Sequence, residues 1–135
     1  MNSPTITNKI LYWYDNNKRS LPWRKKNSQI KREYYTLVSE FMLQQTQVST
    51  VIPYFKNFIK NIPNPKKLAK VQNKKLIKLW EGLGYYSRAR NLKKTSQIII
   101  KNFKGKVPEN FEDLKSLPGI GNYTASAILA IAFNK

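Results

Sequence analysis

Apolar residues recur three and four positions apart along most of this sequence, and that spacing restricts the chain to helices. The clearest run comprises Val48, Val51, Ile52, Phe55, Phe58, Ile59 and Ile62. Residues with this spacing share one face of an α-helix, whereas a strand would alternate apolar and polar residues, and the sequence contains no such alternation. We therefore predict an all-α fold without internal repeats.

Capping and breaking residues place the helix boundaries. Ser3-Pro4 and Asn64-Pro65 each combine an N-cap with proline at the first helical position. Pro53 is expected to kink or restart the helix in which it falls, and Gly84 to end another. The predicted helices cover residues 3–14, 34–47, 48–62, 65–70, 73–83, 87–103, 111–117 and 123–133, with an extended connection at 16–27 and a loop at 105–110.

The charge balance is strongly basic, with 25 lysines and arginines against 7 aspartates and glutamates and a formal net charge of +18. Such a field attracts polyanions, and nucleic acid is the leading candidate. Abundant Lys, Asn and Ile also fit an AT-rich genome, so codon bias would account for part of the charge. The basic residues are spread over many segments, and we find no long apolar span or secretory segment. These features indicate a cytoplasmic protein with no membrane partner.

The sequence contains no cysteine and no histidine. Disulfides, Cys/His metal sites, iron–sulfur ligation and histidine-based catalysis are therefore excluded for the chain as given. Any chemistry must rest on carboxylates, tyrosine, lysine or bound water.

A glycine-containing turn, Leu117-Pro118-Gly119-Ile120-Gly121, separates the last two predicted helices. Glycine at both positions permits positive φ and the close approach of a phosphate, and the next helix begins there with the positive end of its dipole. An ordinary corner between two helices would use the same glycines. The short amphipathic helix before the turn and the small residues after it favour a hairpin whose N–H groups hold a DNA phosphate.

Glu40 differs from the other acidic residues because it lies in the apolar stretch from Leu37 to Leu43. Burial there would favour the protonated carboxyl, as a general acid near neutral pH requires. Glu40 shares a helical stripe with Gln44 and Gln47, and a polar stripe between apolar edges suits a cleft. The alternative is a residue at the edge of an amphipathic helix that pairs with a lysine.

Two further segments carry groups suited to DNA. The amides of Gln44-Gln45-Thr46-Gln47 could reach base edges or fill the gap left by an extruded base; the alternative is a solvated helix end. Tyr85 follows Gly82-Leu83-Gly84 and could wedge between bases while Arg88 holds the DNA backbone. The alternative for Tyr85 and the adjacent Tyr86 is burial in the core, which we favour for Tyr86.

Five motifs together cover nearly the whole chain: Leu21-Pro22-Trp23-Arg24, Val38 to Val48, Val51 to Phe55, Leu79 to Leu92, and Leu117 to Gly121. With these motifs the chain resembles the adenine DNA glycosylases of base-excision repair, within the helix-hairpin-helix glycosylase superfamily. The runs Met42 to Gln47 and Gly82 to Tyr86 are specific to this branch, whereas the hairpin marks only the superfamily.

The resemblance implies a role for each matching residue. Glu40 would protonate the purine ring of a flipped adenine, so that the base leaves from an oxocarbenium-like sugar. Trp23 and Arg24 would line the adenine pocket. The residues placed at the duplex near the oxidised guanine are Gln45 and Tyr85, with Leu43 and Thr46 close by. The implied partner is double-stranded DNA with adenine opposite 8-oxoguanine or guanine, bound by a monomer at the bacterial nucleoid.

Tyr123 bears on the type of reaction. In relatives with strand-cleaving lyase activity, the resemblance places a Schiff-base lysine at this position. A phenol cannot form that imine. The resemblance therefore implies a monofunctional glycosylase, with Tyr123 beside its active site.

The resemblance also implies a domain layout. Residues 1–19 would form an N-terminal helix that packs on a cluster domain, and residues 20–135 the six-helix barrel part, with the helix-hairpin-helix at 111–133. In the family, a sugar-stabilising aspartate, four cysteines that hold a 4Fe-4S cluster and a domain that senses oxidised guanine follow the last segment matched here. The chain as given is therefore expected to be an inactive fragment.

The sequence departs from the family in one segment and leaves two rival functions open. Residues 25–35 are longer than usual, and Lys31-Arg32-Glu33-Tyr34 replaces the commoner Asp-Pro-Tyr. One rival is a non-catalytic helix-hairpin-helix DNA-binding module, which the retained Glu40 and Gln44-Gln45 disfavour. The other is an endonuclease III-like glycosylase/lyase, which Tyr123 disfavours.

Overall fold

All regular secondary structure is helical in the computed structural model, which describes residues 21–24 and 27–135. This confirms the all-α prediction for that part of the chain. A 3-10 turn at Pro22–Arg24 is followed by helices α1 (Gln29–Leu43), α2 (Val48–Asn61), α3 (Pro65–Lys70), α4 (Asn73–Trp80), α5 (Tyr86–Asn102), α6 (Phe111–Lys115) and α7 (Asn122–Ala132). The helix predicted at 3–14 lies outside the described residues.

The helices predicted from residue 48 onward are confirmed, and their ends differ from prediction by at most three residues. Asn64 caps α3 as expected, because its side chain accepts a hydrogen bond from the Lys67 N–H at 2.9 Å. Pro53 lies inside α2, which continues through it, so the predicted restart is wrong.

Helix α1 was predicted at 34–47, and the structure corrects both ends. It begins at Gln29, because Ser28 caps it by accepting a hydrogen bond from the Lys31 N–H at 3.3 Å. Its first turn is polar, which hid the start from a search for apolar spacing. The helix ends at Leu43 rather than at Gln47.

Helix α1 lies at the centre of the described fold, where it packs against α2, α5, α7 and the 3-10 turn. Helices α3 and α4 pack against α5. The largest fully buried side chains are Trp23, Trp80, Tyr34, Phe41, Phe58, Leu21, Leu37, Met42, Ile62, Leu68, Leu76 and Leu92. Their removal from water supplies the main stabilisation of the helix packing. Within the described residues, no helix has both the length and the apolar character needed to cross a bilayer.

Helices α1 and α7 run antiparallel and are hydrogen-bonded at both ends. At one end Gln29 and Arg32 donate to the last carbonyls of α7, at Ala132 (2.8 Å) and Ile131 (3.0 Å). At the other end the Gln44 amide donates to the Thr124 hydroxyl at 3.3 Å. This pairing brings the last turn of α1, which carries Glu40, beside the first turn of α7.

Candidate active site

Glu40 is buried, as the sequence predicted, and only 5% of its surface is exposed. Its Oε1 atom has no hydrogen-bond partner among the described residues. Because the surrounding side chains exclude water, burial raises the pKa of the Glu40 carboxyl to about 7. The burial of Glu40 argues against the alternative, a residue at the edge of an amphipathic helix that pairs with a lysine. Near neutral pH this group can carry a proton and release it, as a general acid must.

Tyr123 lies in the first turn of α7 and is 39% exposed. Burial, and secondarily the negative charge of ionised Glu40, raise the pKa of its phenol to about 12. The phenol thus remains a neutral O–H donor at physiological pH, and it lies close enough to Glu40 for their charges to interact.

Trp23 is fully buried in the 3-10 turn, and its ring contacts Phe55 edge-to-face at 5.2 Å between centroids. Its Nε1 atom has no hydrogen-bond acceptor among the described residues. A buried donor left without a partner carries a free-energy cost, which a ligand that accepts the bond would remove. The backbone of Arg24 ends the same turn, and its side chain lies outside the described part of the structure.

The hairpin turn between α6 and α7 is fastened to both α1 and α5. Thr95 donates to the Pro118 carbonyl at 2.9 Å, and the Gln44 amide donates to the Gly119 carbonyl at 3.2 Å. Gly119 has φ of +82°, and a Cβ there would lie 2.9 Å from Phe41 Cε1 and 3.0 Å from Asn91 Cβ. Glycine is therefore required at 119 by both conformation and space.

Gly121 differs from Gly119, because it does not adopt the positive φ that glycine permits. Its backbone is extended, with φ of −94° and ψ of −171°, and an added Cβ would meet nothing within 4 Å. Gly121 is the N-cap of α7 and supplies no side-chain hydrogen bond to the helix. The first N–H groups of α7 have no partners within that helix, and they carry the positive end of its dipole. The open space at Gly121 gives a phosphate access to them.

Two exposed residues predicted to enter DNA, Gln45 and Tyr85, both adopt the left-handed conformation, with φ of +64° and +51°. Non-glycine residues pay a conformational cost there, and such residues cluster at functional sites. Tyr85 is 58% exposed, and its ring centroid lies 5.0 Å from the Arg88 guanidinium carbon. Each of the two side chains thus projects from a tight turn.

Arg88 was expected to hold the DNA backbone, but the structure directs it inward, with 7% of its surface exposed. Its guanidinium donates to backbone carbonyls of α1 and of the turn before α5, and to the Thr46 hydroxyl. The buried neighbour Ala89 was the one local signal that Arg88 lies near the core. The charge of Arg88 gave no indication that its side chain points into the protein.

The remaining predicted residues occupy the same end of α1. Leu43 is half-buried against the core, and Thr46 accepts the hydrogen bond from Arg88. The Gln44 amide nitrogen is engaged with the hairpin rather than left free for a base. Sequence reasoning missed Thr95 and Asn91, because their contact with the hairpin depends on helix packing and leaves no local pattern.

The residues present do not fit an iron–sulfur cluster. The sequence has no cysteine to supply a thiolate. Among the residues that the structure describes, no three His, Cys, Asp or Glu side chains come together as a metal site.

Comparison with known proteins identifies relatives of this chain. Residues 38–132 match the HhH-GPD superfamily of base excision DNA repair proteins. The adenine DNA glycosylases of Buchnera aphidicola subsp. Acyrthosiphon pisum (strain APS) and of Homo sapiens are 48% identical over 127 residues and 43% identical over 131 residues. Both alignments cover 93% of this chain, which spans only 35% and 24% of the length of those relatives.

Solved structures share the fold. A thermostable thymine-DNA glycosylase superposes with a TM-score of 0.78 at 27% identity, over 96% of this chain and 58% of its own. Endonuclease III in a non-covalent complex with DNA superposes with a TM-score of 0.74 at 22% identity, over 96% of this chain and 61% of its own. The second likeness bears on the fold alone.

Proposed function

The chain belongs to the HhH-GPD superfamily of base-excision DNA repair proteins, and we propose that it forms part of an adenine DNA glycosylase. The proposed reaction is hydrolysis of the N-glycosidic bond of adenine mispaired with 8-oxoguanine or guanine in double-stranded DNA. The observation that carries the proposal is Glu40, a buried carboxyl beside Tyr123 and the hairpin. Its Oε1 atom has no partner in the described part of the chain, and its pKa is about 7. The relatives named adenine DNA glycosylase support the choice of base.

In the proposed mechanism, Glu40 gives its proton to a ring nitrogen of an adenine that has left the base stack. The C–N bond to the sugar then breaks, and its electron pair goes to the departing base. Water adds to the cationic sugar carbon and gives up one proton, which the Glu40 carboxylate accepts. A buried carboxyl suits this step because its proton is held until an acceptor arrives. The Trp23 indole N–H is a buried donor without an acceptor among the described residues, and we assign it to the lining of the adenine pocket.

DNA would be held by backbone groups rather than by base readout. We assign a phosphate to the N–H groups at Gly121 and the start of α7, and the gap in the duplex to Gln45 and Tyr85. Every described lysine except half-buried Lys93 is exposed, which gives the surface the positive charge that DNA requires. Chromosomal DNA at the bacterial nucleoid would be the natural substrate of a monomer of this kind.

The rival functions are less well supported. A non-catalytic DNA-binding module would have no use for a buried carboxyl whose Oε1 atom has no partner among the described residues, because its burial costs stability. A lyase needs an amine nucleophile, and the hairpin is followed by the phenol of Tyr123, with a pKa of about 12.

The test is incubation of the longest product of the gene with a duplex that carries adenine opposite 8-oxoguanine. We expect free adenine to be released and the strand to break only after later alkali treatment. A duplex with thymine opposite adenine is the matched control and should remain intact. Borohydride trapping of a protein–DNA adduct would contradict the monofunctional reaction, and an intact mispair would contradict the function.

The two hairpin glycines offer a second, paired test. Gly119→Ala is expected to lower the free energy of unfolding by about 2 to 4 kcal/mol, because φ is positive there and the methyl group would press on Phe41. Gly121→Ala should cost less than about 1 kcal/mol, since its backbone is extended and its surroundings are open.

DNA affinity should also distinguish these two variants, with the larger effect in the Gly121→Ala protein. The Gly121→Ala methyl group would occupy the phosphate position, so we expect affinity to fall about tenfold, the loss of one charge-assisted hydrogen bond. Urea unfolding and fluorescence anisotropy with a labelled duplex measure the two effects. Unchanged affinity in the Gly121→Ala protein would argue against phosphate binding at this turn.

A further inference from the structure

The Arg88 guanidinium joins two separate turns of the chain. Through Nη1 it donates to the carbonyls of Phe41 (3.2 Å), Met42 (3.0 Å) and Gln44 at the end of α1. Through Nη2 it reaches the Thr46 hydroxyl (3.2 Å) and the carbonyls of Leu83 and Gly84 (both 3.4 Å). One side chain therefore satisfies acceptors on both sides of the space between α1 and α5.

The position of these acceptors along the chain is informative. Gln44 immediately precedes Gln45, and Gly84 immediately precedes Tyr85, so Arg88 holds the peptide group before two of the four non-glycine residues that have positive φ in the described part of the chain. The orientation of that peptide plane sets φ of the residue that follows. Left-handed backbone in a non-glycine residue persists only when its surroundings enforce it.

Few side chains could perform this task. A guanidinium is planar, stays charged and presents five N–H donors in a fixed fork, so it can serve several acceptors on two segments at once. The ring of Tyr85 also lies over the guanidinium, with its centroid 5.0 Å from the Arg88 Cζ atom, and the ring of Trp80 lies 5.8 Å from it on the same side. Lysine would keep the charge, but its single ammonium group cannot reproduce the fork.

We propose that Arg88 is a positioning residue that fixes Gln45 and Tyr85 as one coupled pair, so that both side chains enter the duplex in a set relative geometry. The proposal rests on the proposed function in one respect, which is that the two exposed side chains meet DNA. Arg88 itself touches neither DNA nor the reacting atoms. Its effect reaches the substrate through Gln45 and Tyr85, by way of the peptide group before each residue and the contact with the Tyr85 ring.

The experiment compares Arg88→Lys with Arg90→Lys in the full-length gene product. Both changes keep the charge, and Arg90 is exposed two positions further along the same helix. Unstacking of the duplex is followed by the fluorescence of 2-aminopurine placed beside an adenine–guanine mispair, at a temperature at which circular dichroism shows both proteins folded. We expect Arg90→Lys to match the parent protein and Arg88→Lys to lose most of the fluorescence increase. Equal increases in the two variants would overturn the proposal.

A second measurement does not depend on whether an Arg88 variant folds. Gln45→Ala, Tyr85→Ala and the double variant are compared in the protein that retains Arg88, by affinity for the mispaired duplex. Side chains coupled through a shared backbone contact are expected to depart from additivity by about threefold or more. A double variant whose loss of affinity equals the product of the two single losses would overturn the proposal.

Neither readout requires base excision, which separates this inference from the proposed function. Unstacking that depends on Arg88 in a protein that never releases adenine would support the positioning role and contradict the glycosylase assignment. Adenine release together with unstacking that is equal in all variants would support the glycosylase assignment and contradict the positioning role.

Discussion

Replacing Glu40 by glutamine is expected to slow adenine release by at least about a hundredfold, the usual contribution of a general acid. Glutamine matches the shape of the protonated carboxyl but has no acidic proton to give. The measurement is single-turnover release of adenine from a duplex with adenine opposite 8-oxoguanine, in the full-length gene product. Glu109→Gln, at an exposed loop residue, is the matched control and should leave the rate unchanged. A Glu40→Gln protein with parental rate would remove Glu40 from the mechanism.

The same substitution is expected to stabilise the fold above neutral pH. The folded pKa of Glu40 is raised to about 7 from 4.5, so the folded protein holds this proton more tightly than the unfolded chain does. Below pH 4.5 the carboxyl is neutral in both states; as pH rises from 4.5 to about 7 the unfolded chain ionises first, and stability is lost. The Glu40→Gln protein does not lose this stability. The loss amounts to about 3 kcal/mol, because each unit of pKa shift corresponds to about 1.4 kcal/mol.

Urea unfolding of both proteins at pH 4 and pH 8 measures this effect. We expect the free energies of unfolding to agree at pH 4 and the Glu40→Gln protein to be more stable at pH 8. The excision rate of the parent protein should fall about tenfold per pH unit above the Glu40 pKa of about 7. Stability that is lower in the variant at pH 8 would mean that Glu40 has a favourable partner when it is ionised.

DNA affinity is expected to fall about a thousandfold or more between roughly 50 and 200 mM salt, as for proteins that neutralise about six or more phosphates. The reason is the formal net charge of +18 together with the exposure of nearly all the described lysines. Binding releases counterions from DNA, and added salt opposes that release. Fluorescence anisotropy over a potassium chloride series gives the slope of the logarithm of affinity against the logarithm of salt.

A single-stranded oligonucleotide of the same length is the matched control, and its slope should be shallower because fewer counterions are condensed on it. An affinity that stays flat with ionic strength would favour the other explanation of the charge, in which an AT-rich genome supplies lysines that have no role in binding.

The elements that the sequence predicted well are those with strong local signals. Asn64-Pro65 combines a cap with a fixed φ, and the start of α3 follows from those two residues alone. Glu40 was recognised because its apolar neighbours are also its neighbours in sequence, and burial is then a local property. The start of α1 was missed because Gln29 and Arg32 look like solvated polar residues, whereas they bind the carbonyls at the end of α7.

The direction of a long side chain was the least predictable feature of the site. Arg88 was assigned to DNA because its charge is visible in the sequence, but four of its six acceptors lie 42 to 47 positions away on α1 and the following turn. Gly119 and Gly121 look equivalent in the sequence, and only the packing of Phe41 and Asn91 distinguishes them. Such features depend on contacts between distant segments, which no local pattern encodes.

The hydrogen bond from the Gln44 amide to the Gly119 carbonyl ties the hairpin turn to the end of α1. A phosphate held at Gly121 would then lie at a fixed distance from the Glu40 carboxyl, however the rest of the duplex bends. In that case the position of the held phosphate would determine which nucleotide of the strand reaches Glu40. A strand displaced by one nucleotide would present the wrong sugar to the acid, even if the correct base lay next to it.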